Sequence, residues 1–153
     1  TILKMDSILW ALMGVIAGAC IAAQAPINAS LGRALEVPVA AAAVSFLAGG
    51  VVLWALAFLF SHLTSTPINY GAPAPWTFVA GGLLGAFYVF SNITLTPIMG
   101  AAAVMALSVT GQLVGGLLLD KIGFMGMAVR EISVGRVAGA VLLVVGAVMI
   151  RVL

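Results

Sequence analysis

The stretch Gly81–Gly123, "GGLLGAFYVFSNITLTPIMGAAAVMALSVTGQLVGGLLLDKIG", has no charged side chain before Asp120. Its one interruption is "TPIMG", Thr96–Gly100. Proline there lacks a backbone donor and glycine accepts unusual dihedrals, so Pro97 and Gly100 predict a tight reversal. A helix needs about 20 mostly apolar residues to cross the roughly 30 Å hydrocarbon core. The segments on either side, about 76–96 and 101–119, meet that requirement and read as consecutive membrane spans. A transmembrane barrel would show short alternating apolar and polar segments instead.

The same reading extends in both directions. Further spans are expected at about 7–31, 37–60 and 137–153, giving an all-α polytopic membrane protein of five transmembrane helices. The whole chain of 153 residues is 64% hydrophobic and 7% charged, with a mean hydropathy of +1.30. A water-facing surface normally needs about a quarter of the residues charged, so lipid is the solvent for most of this chain. Only "GRALEVP" (Gly32–Pro38) separates the first two spans, whereas "SHLTSTPINYGAPAP" (Ser61–Pro75) is dense in turn residues. Residues 120–136, "DKIGFMGMAVREISVGR", hold five of the ten charges and are expected to form a charged connecting loop. Thr1–Lys4 are expected to be an addition before a native start at Met5. A signal peptide is disfavoured, because apolar character continues past Cys20 to Leu31 and everything downstream is membrane too.

With five spans, Lys4, Lys121, Arg130 and Arg136 fall on one side and Arg33 and Arg151 on the other. The positive-inside rule favours a cytoplasmic N-terminus. Without Lys4 the count is three against two, close enough that insertion in both orientations stays open. No basic cluster exists, so nucleic-acid binding has no footprint. An internal echo is visible: "GVIAGA" (Gly14–Ala19) resembles "GGLLGA" (Gly81–Ala86), and "LAGGVVL" (Leu47–Leu53) resembles "LVGGLLL" (Leu113–Leu119). The first helix pair then repeats in the second, leaving the last helix over.

Polar side chains inside a span need a partner or a cavity. Gly81, Gly85, Tyr88, Asn92 and Thr96 share one helical face of the third span. Gln24 and Asn28 lie four apart in the first span, with Pro26 between them freeing the carbonyl of Ala22. Kinked polar half-helices of this kind present backbone and amide groups to transporter substrates. Ser108, Gln112 and Gly115 share a face of the fourth span, and Ser45 and Gly49 one of the second. Bonds between helices account for such groups as well; that reading is favoured for Ser45 and Ser108, a cavity for Gln24, Asn28 and Asn92.

No Asp or Glu falls within the predicted spans, so a proton-exchanging membrane carboxylate has no obvious residue. Arg33 and Glu36 are expected to pair at a helix end; alternatively Arg33 sits at a cavity mouth and attracts an anion. Asp120 and Lys121 read as solvated interface charges, and His62 as exposed. The fifth span, without polar groups from Val137 to Ile150, suits dimer packing or lipid contact, with Gly139 and Gly146 favouring packing. One His, one Cys and no phosphate loop or paired metal ligands leave no catalytic constellation. No enzyme, cofactor or metal is expected.

Several stretches together resemble the small five-helix YdcZ-type family of the drug/metabolite transporter (EamA-like) superfamily. They are "QAPINASLGR" (Gln24–Arg33), "AAAVSFLAGGVVL" (Ala41–Leu53), Gly81–Gly123 and "RVAGAVLLVVGAVMI" (Arg136–Ile150). The resemblance implies a half-transporter in the bacterial inner membrane, with two copies, or a copy and a close paralogue, pairing antiparallel. The four-helix multidrug exporters of that superfamily use a first-helix glutamate, which this chain lacks. The expected function is secondary transport of a small polar or amphipathic metabolite by alternating access. Its cavity would be lined by Gln24, Asn28, Tyr88, Asn92, Ser108 and Gln112, with hinges at Pro26 and Pro97. A passive pore or a non-transporting assembly subunit is the alternative.

Overall fold

A computed structural model describes residues 2–152, with side chains from Ser7 onward. The proposed start at Met5, the Lys4 side chain and the terminal Leu153 of the fifth predicted span lie outside those described residues. Five α-helices follow in order: α1 (Ile2–Ala34), α2 (Pro38–Leu63), α3 (Thr77–Met99), α4 (Ala101–Ile122) and α5 (Val134–Val152). Each contains a window long and apolar enough to cross a membrane. Large apolar side chains such as Leu47, Leu84, Phe87 and Leu142 point outward, which water would penalise and acyl chains do not.

Local chemistry sets the helix ends. Pro38 opens α2 in the first turn, where its missing N–H costs nothing. The Ser133 hydroxyl accepts a hydrogen bond from the Arg136 N–H at 3.3 Å, capping α5 three residues earlier than predicted. At the other end of the connection, Gly123 closes α4 with φ +61°. A Cβ there would lie 2.8 Å from Val129 Cγ2, and the Arg130 N–H donates to the Asp120 carbonyl at 2.9 Å. The charged segment 120–136 is thus not all loop: Asp120, Lys121 and Arg136 sit in helical turns. Nor does Pro97 take part in the turn. It lies inside α3, which continues to Met99, and the break between α3 and α4 falls on Gly100 alone, at φ +83°. A proline in the last turn removes one hydrogen bond without stopping a helix about to end.

The chain divides into two compact units, one up to Pro97 and one from Ile98. In the first, α1 packs along α2, and Ala41, Ala42, Val89 and Ile93 form a core joined by Leu31 and Tyr88. Gly32 makes this approach possible, since a Cβ there would meet Ile93 Cγ2 at 2.9 Å and the Pro38 Cα at 3.6 Å. Gly85 admits the Phe46 ring, whose Cζ lies 3.1 Å from the Cβ position. The connection between α2 and α3 folds back on α2. The Ser61 hydroxyl donates to the Thr66 carbonyl at 2.7 Å, and Tyr70 stacks on Trp54, which also stacks on Phe58.

In the second unit α4 packs along α5, with Ala103, Val104 and Ala147 buried. The helix outside the sequence repeat thus has α4 as its neighbour. Gly139 and Gly146 have no atom of this chain within 4 Å of their Cβ positions, so no neighbour within the chain uses them.

A polar cluster beside an open groove in the first unit

The neutral polar residues of the first unit converge as their spacing suggests. Gln24 Nε2 and Asn28 Nδ2, one turn apart on α1, both donate to Ser45 Oγ on α2, at 3.4 and 3.2 Å. Asn92 turns its Nδ2 to the Tyr88 carbonyl at 2.9 Å. With those amino groups committed, the carboxamides offer their oxygens elsewhere. Along α3, Tyr88 OH, Asn92 Oδ1 and Thr96 Oγ1 are buried and have no partner. Leaving such an atom unpaired costs about 1–3 kcal/mol, and three at i, i+4 and i+8 line one helical face.

Gln24, Asn28, Tyr88 and Asn92 surround a void of about 10 Å³. That is roughly the room for a single water, too little for any metabolite. Immediately beside it, Gln24 and Tyr88 also line a groove of about 380 Å³. Ser45 adds a third polar group, Phe46 and Leu53 supply apolar wall, and Gly49, Gly50 and Gly85 leave the surface open. The arrangement suits a ligand with an apolar body and a hydrogen-bonding end.

Other expected site residues lie differently. Ser108 and Gln112 are on α4 in the second unit, and Gln112 lines a groove belonging to that unit. Pro26 lies inside α1 on its exposed side. Arg33 is exposed in the last turn of α1, and its expected pairing with Glu36 is not formed. Glu36 is past the helix end at φ +59°, where helical i, i+3 geometry no longer applies. Among the described residues the ion pair present joins Asp120 to Arg136. Asp120, two residues before the end of α4, is thus an ion-paired, half-buried carboxylate rather than a free solvated charge.

Two residues visible in the sequence are not among the expected cavity-lining set. Thr96 shares the face of Asn92 by its i+4 spacing, as the sequence indicates, and its buried hydroxyl has no partner. Ser45 was read as a helix-to-helix hydrogen bond, which it makes; that it serves both α1 carboxamides depends on tertiary approach and has no local signal.

A family described as "Putative inner membrane exporter, YdcZ" matches residues 9–149. The chain belongs to this family. Membership in the YdcZ family, with five helices long and apolar enough to span, makes it a multi-pass inner membrane protein. Inner membrane protein YdcZ of Escherichia coli (strain K12) is 44% identical over 72 residues, a stretch covering 47% of this chain and 47% of that protein. The alignment therefore spans about half the length of that relative. No solved structure matches.

Proposed function

We propose that this YdcZ-family chain is a secondary exporter of a small amphipathic metabolite, which it holds between α1, α2 and α3. The observation that carries this reading is the row of unpartnered buried atoms on α3 beside a groove of about 380 Å³. Groups left unpaired at a cost to stability are retained where a ligand completes them. The substrate's polar end meets Gln24, Ser45 and Tyr88, with Asn92 behind them, and its apolar body lies along Phe46 and Leu53. Two chains in opposite orientations, as homodimer or with a close paralogue, supply the inverted symmetry of alternating access. Pro26 serves as the hinge of α1, its missing hydrogen bond letting the polar half move against the rest.

The experiment begins with a metabolite binding screen by thermal shift on purified protein, followed by flux of the best binder in proteoliposomes. Accumulation against a gradient, or obligatory exchange, supports the transporter; flux that only dissipates a gradient identifies a passive pore. Asn92→Ala and Gln24→Ala should each reduce flux about tenfold, the worth of one buried hydrogen bond. If both fold and transport as wild type, the binding assignment is wrong.

A further inference from the structure

A second groove, of about 390 Å³, runs between α4 and α5 within the second unit. Its polar end is formed by Asp120, two residues before the end of α4, and Arg136, two residues after the start of α5. Helices of 22 and 19 residues place those ends at headgroup level in a bilayer. From there the groove follows α4 down to Gln112, eight residues or about 12 Å deeper. Gly116 on α4 and Gly139 on α5 both line it, with no atom within 4 Å of either Cβ position.

The ion pair at the mouth is only half used. Arg136 gives Nη2 to Asp120 Oδ2, while its Nη1 is shut away from water without any acceptor. Asp120 Oδ1 accepts no bond. The two side chains retain 28% and 33% exposure, so ligand atoms can reach the pair. Arginine binds phosphate through two parallel N–H groups, and a carboxylate beside it repels a purely anionic head but attracts an ammonium group.

We propose that this groove holds one phospholipid with an aminoethyl phosphate head. The phosphate bonds to the Arg136 guanidinium, turned about its Cδ–Nε bond to present Nη1 while Nη2 keeps Asp120. The ammonium group bonds to Asp120 Oδ1. One acyl chain lies over Gly116 and Gly139. A trimethylated head has no N–H to give the carboxylate, and a glycerol head has no positive charge, so both bind more weakly.

Native mass spectrometry of delipidated protein, titrated with phosphatidylethanolamine, phosphatidylcholine or phosphatidylglycerol, tests the site. One phosphatidylethanolamine should be retained about tenfold more tightly than either of the others, the value of one charge-assisted hydrogen bond. Asp120→Asn should reverse the order in favour of phosphatidylglycerol. Gly116→Leu and Gly139→Leu fill the groove without touching the ion pair and should abolish retention, with circular dichroism unchanged. Equal retention of the three lipids, or unaltered retention in the leucine variants, overturns the proposal. Displacement of the lipid by millimolar glycerophosphoethanolamine also overturns it, marking a site for a soluble metabolite. A disulfide between two copies of Gly116→Cys in native membranes does the same, showing that a second chain fills the groove.

Discussion

Ser45 is the one hydroxyl to which two carboxamides of α1 are tied. Ser45→Ala leaves both amino groups without an acceptor, and a loss of about 1–3 kcal/mol is expected from each one that stays buried. A fall in the thermal midpoint larger than that of Ser108→Ala checks this. Gly32 and Gly81 offer a matched comparison. A Cβ at Gly32 meets Ile93 at 2.9 Å, whereas one at Gly81 meets nothing within 4 Å. Gly32→Val should therefore cost about 1–3 kcal/mol by overpacking, Gly81→Val far less. Trimming the neighbour, in Gly32→Val with Ile93→Ala, should recover part of the loss in the same unfolding measurement. At this scale the sequence tells which residues share a helical face, because that depends on i, i+4 spacing alone. It does not tell which face meets which neighbour. The contact of Phe46 with Gly85 and the pairing of Asp120 with Arg136 join positions 39 and 16 residues apart, and nothing local announces either.

The helices themselves were the most legible feature, since about 20 apolar residues in a row have few other solutions. Their ends were less so. α4 and α5 extend into the charged segment because Asp120 and Arg136 neutralise each other there and because lysine keeps its charge at the interface while its stem lies along apolar surface. The same logic makes Pro26 informative. It lies inside a continuous α1, so Pro26→Ala restores a backbone bond and should raise the midpoint of unfolding. If α1 bends during transport, that variant should also lower turnover in proteoliposomes while leaving substrate affinity unchanged. Normal turnover in a stabilised variant rules out the hinge. Pro97, within three residues of the end of α3, spans too short a remnant for bending there to move much, and Pro97→Ala should leave turnover near wild type.

For the molecule as a whole, the charge difference between its two sides is small, and orientation is best read by chemistry. Cys20 is the only cysteine and is exposed, so a Cys20→Ser background accepts one reporter. Met127→Cys, in the connection between α4 and α5, should react with a membrane-impermeant maleimide both in intact cells and in inverted vesicles if chains insert in both directions. Labelling from one side alone removes the antiparallel dimer. The odd number of spans could be read from the sequence; the grouping of helices could not, because Ala- and Gly-rich surfaces are nearly interchangeable until packed. A repeat of helix pairs leaves α5 outside it, and packing makes α5 the neighbour of α4.

The fold-back of the connection between α2 and α3 has an optical consequence. Tyr70 lies with its ring centre 6.2 Å from that of Trp54, close enough for excitation of the phenol to reach the indole. Leu53, adjacent to Trp54 in the chain, is part of the 380 Å³ groove. Emission from Trp54, in a chain with Trp10 and Trp76 replaced by phenylalanine, thus becomes a built-in gauge: a ligand that disturbs this end of α2 should alter the tyrosine-sensitised signal, without any dye being attached.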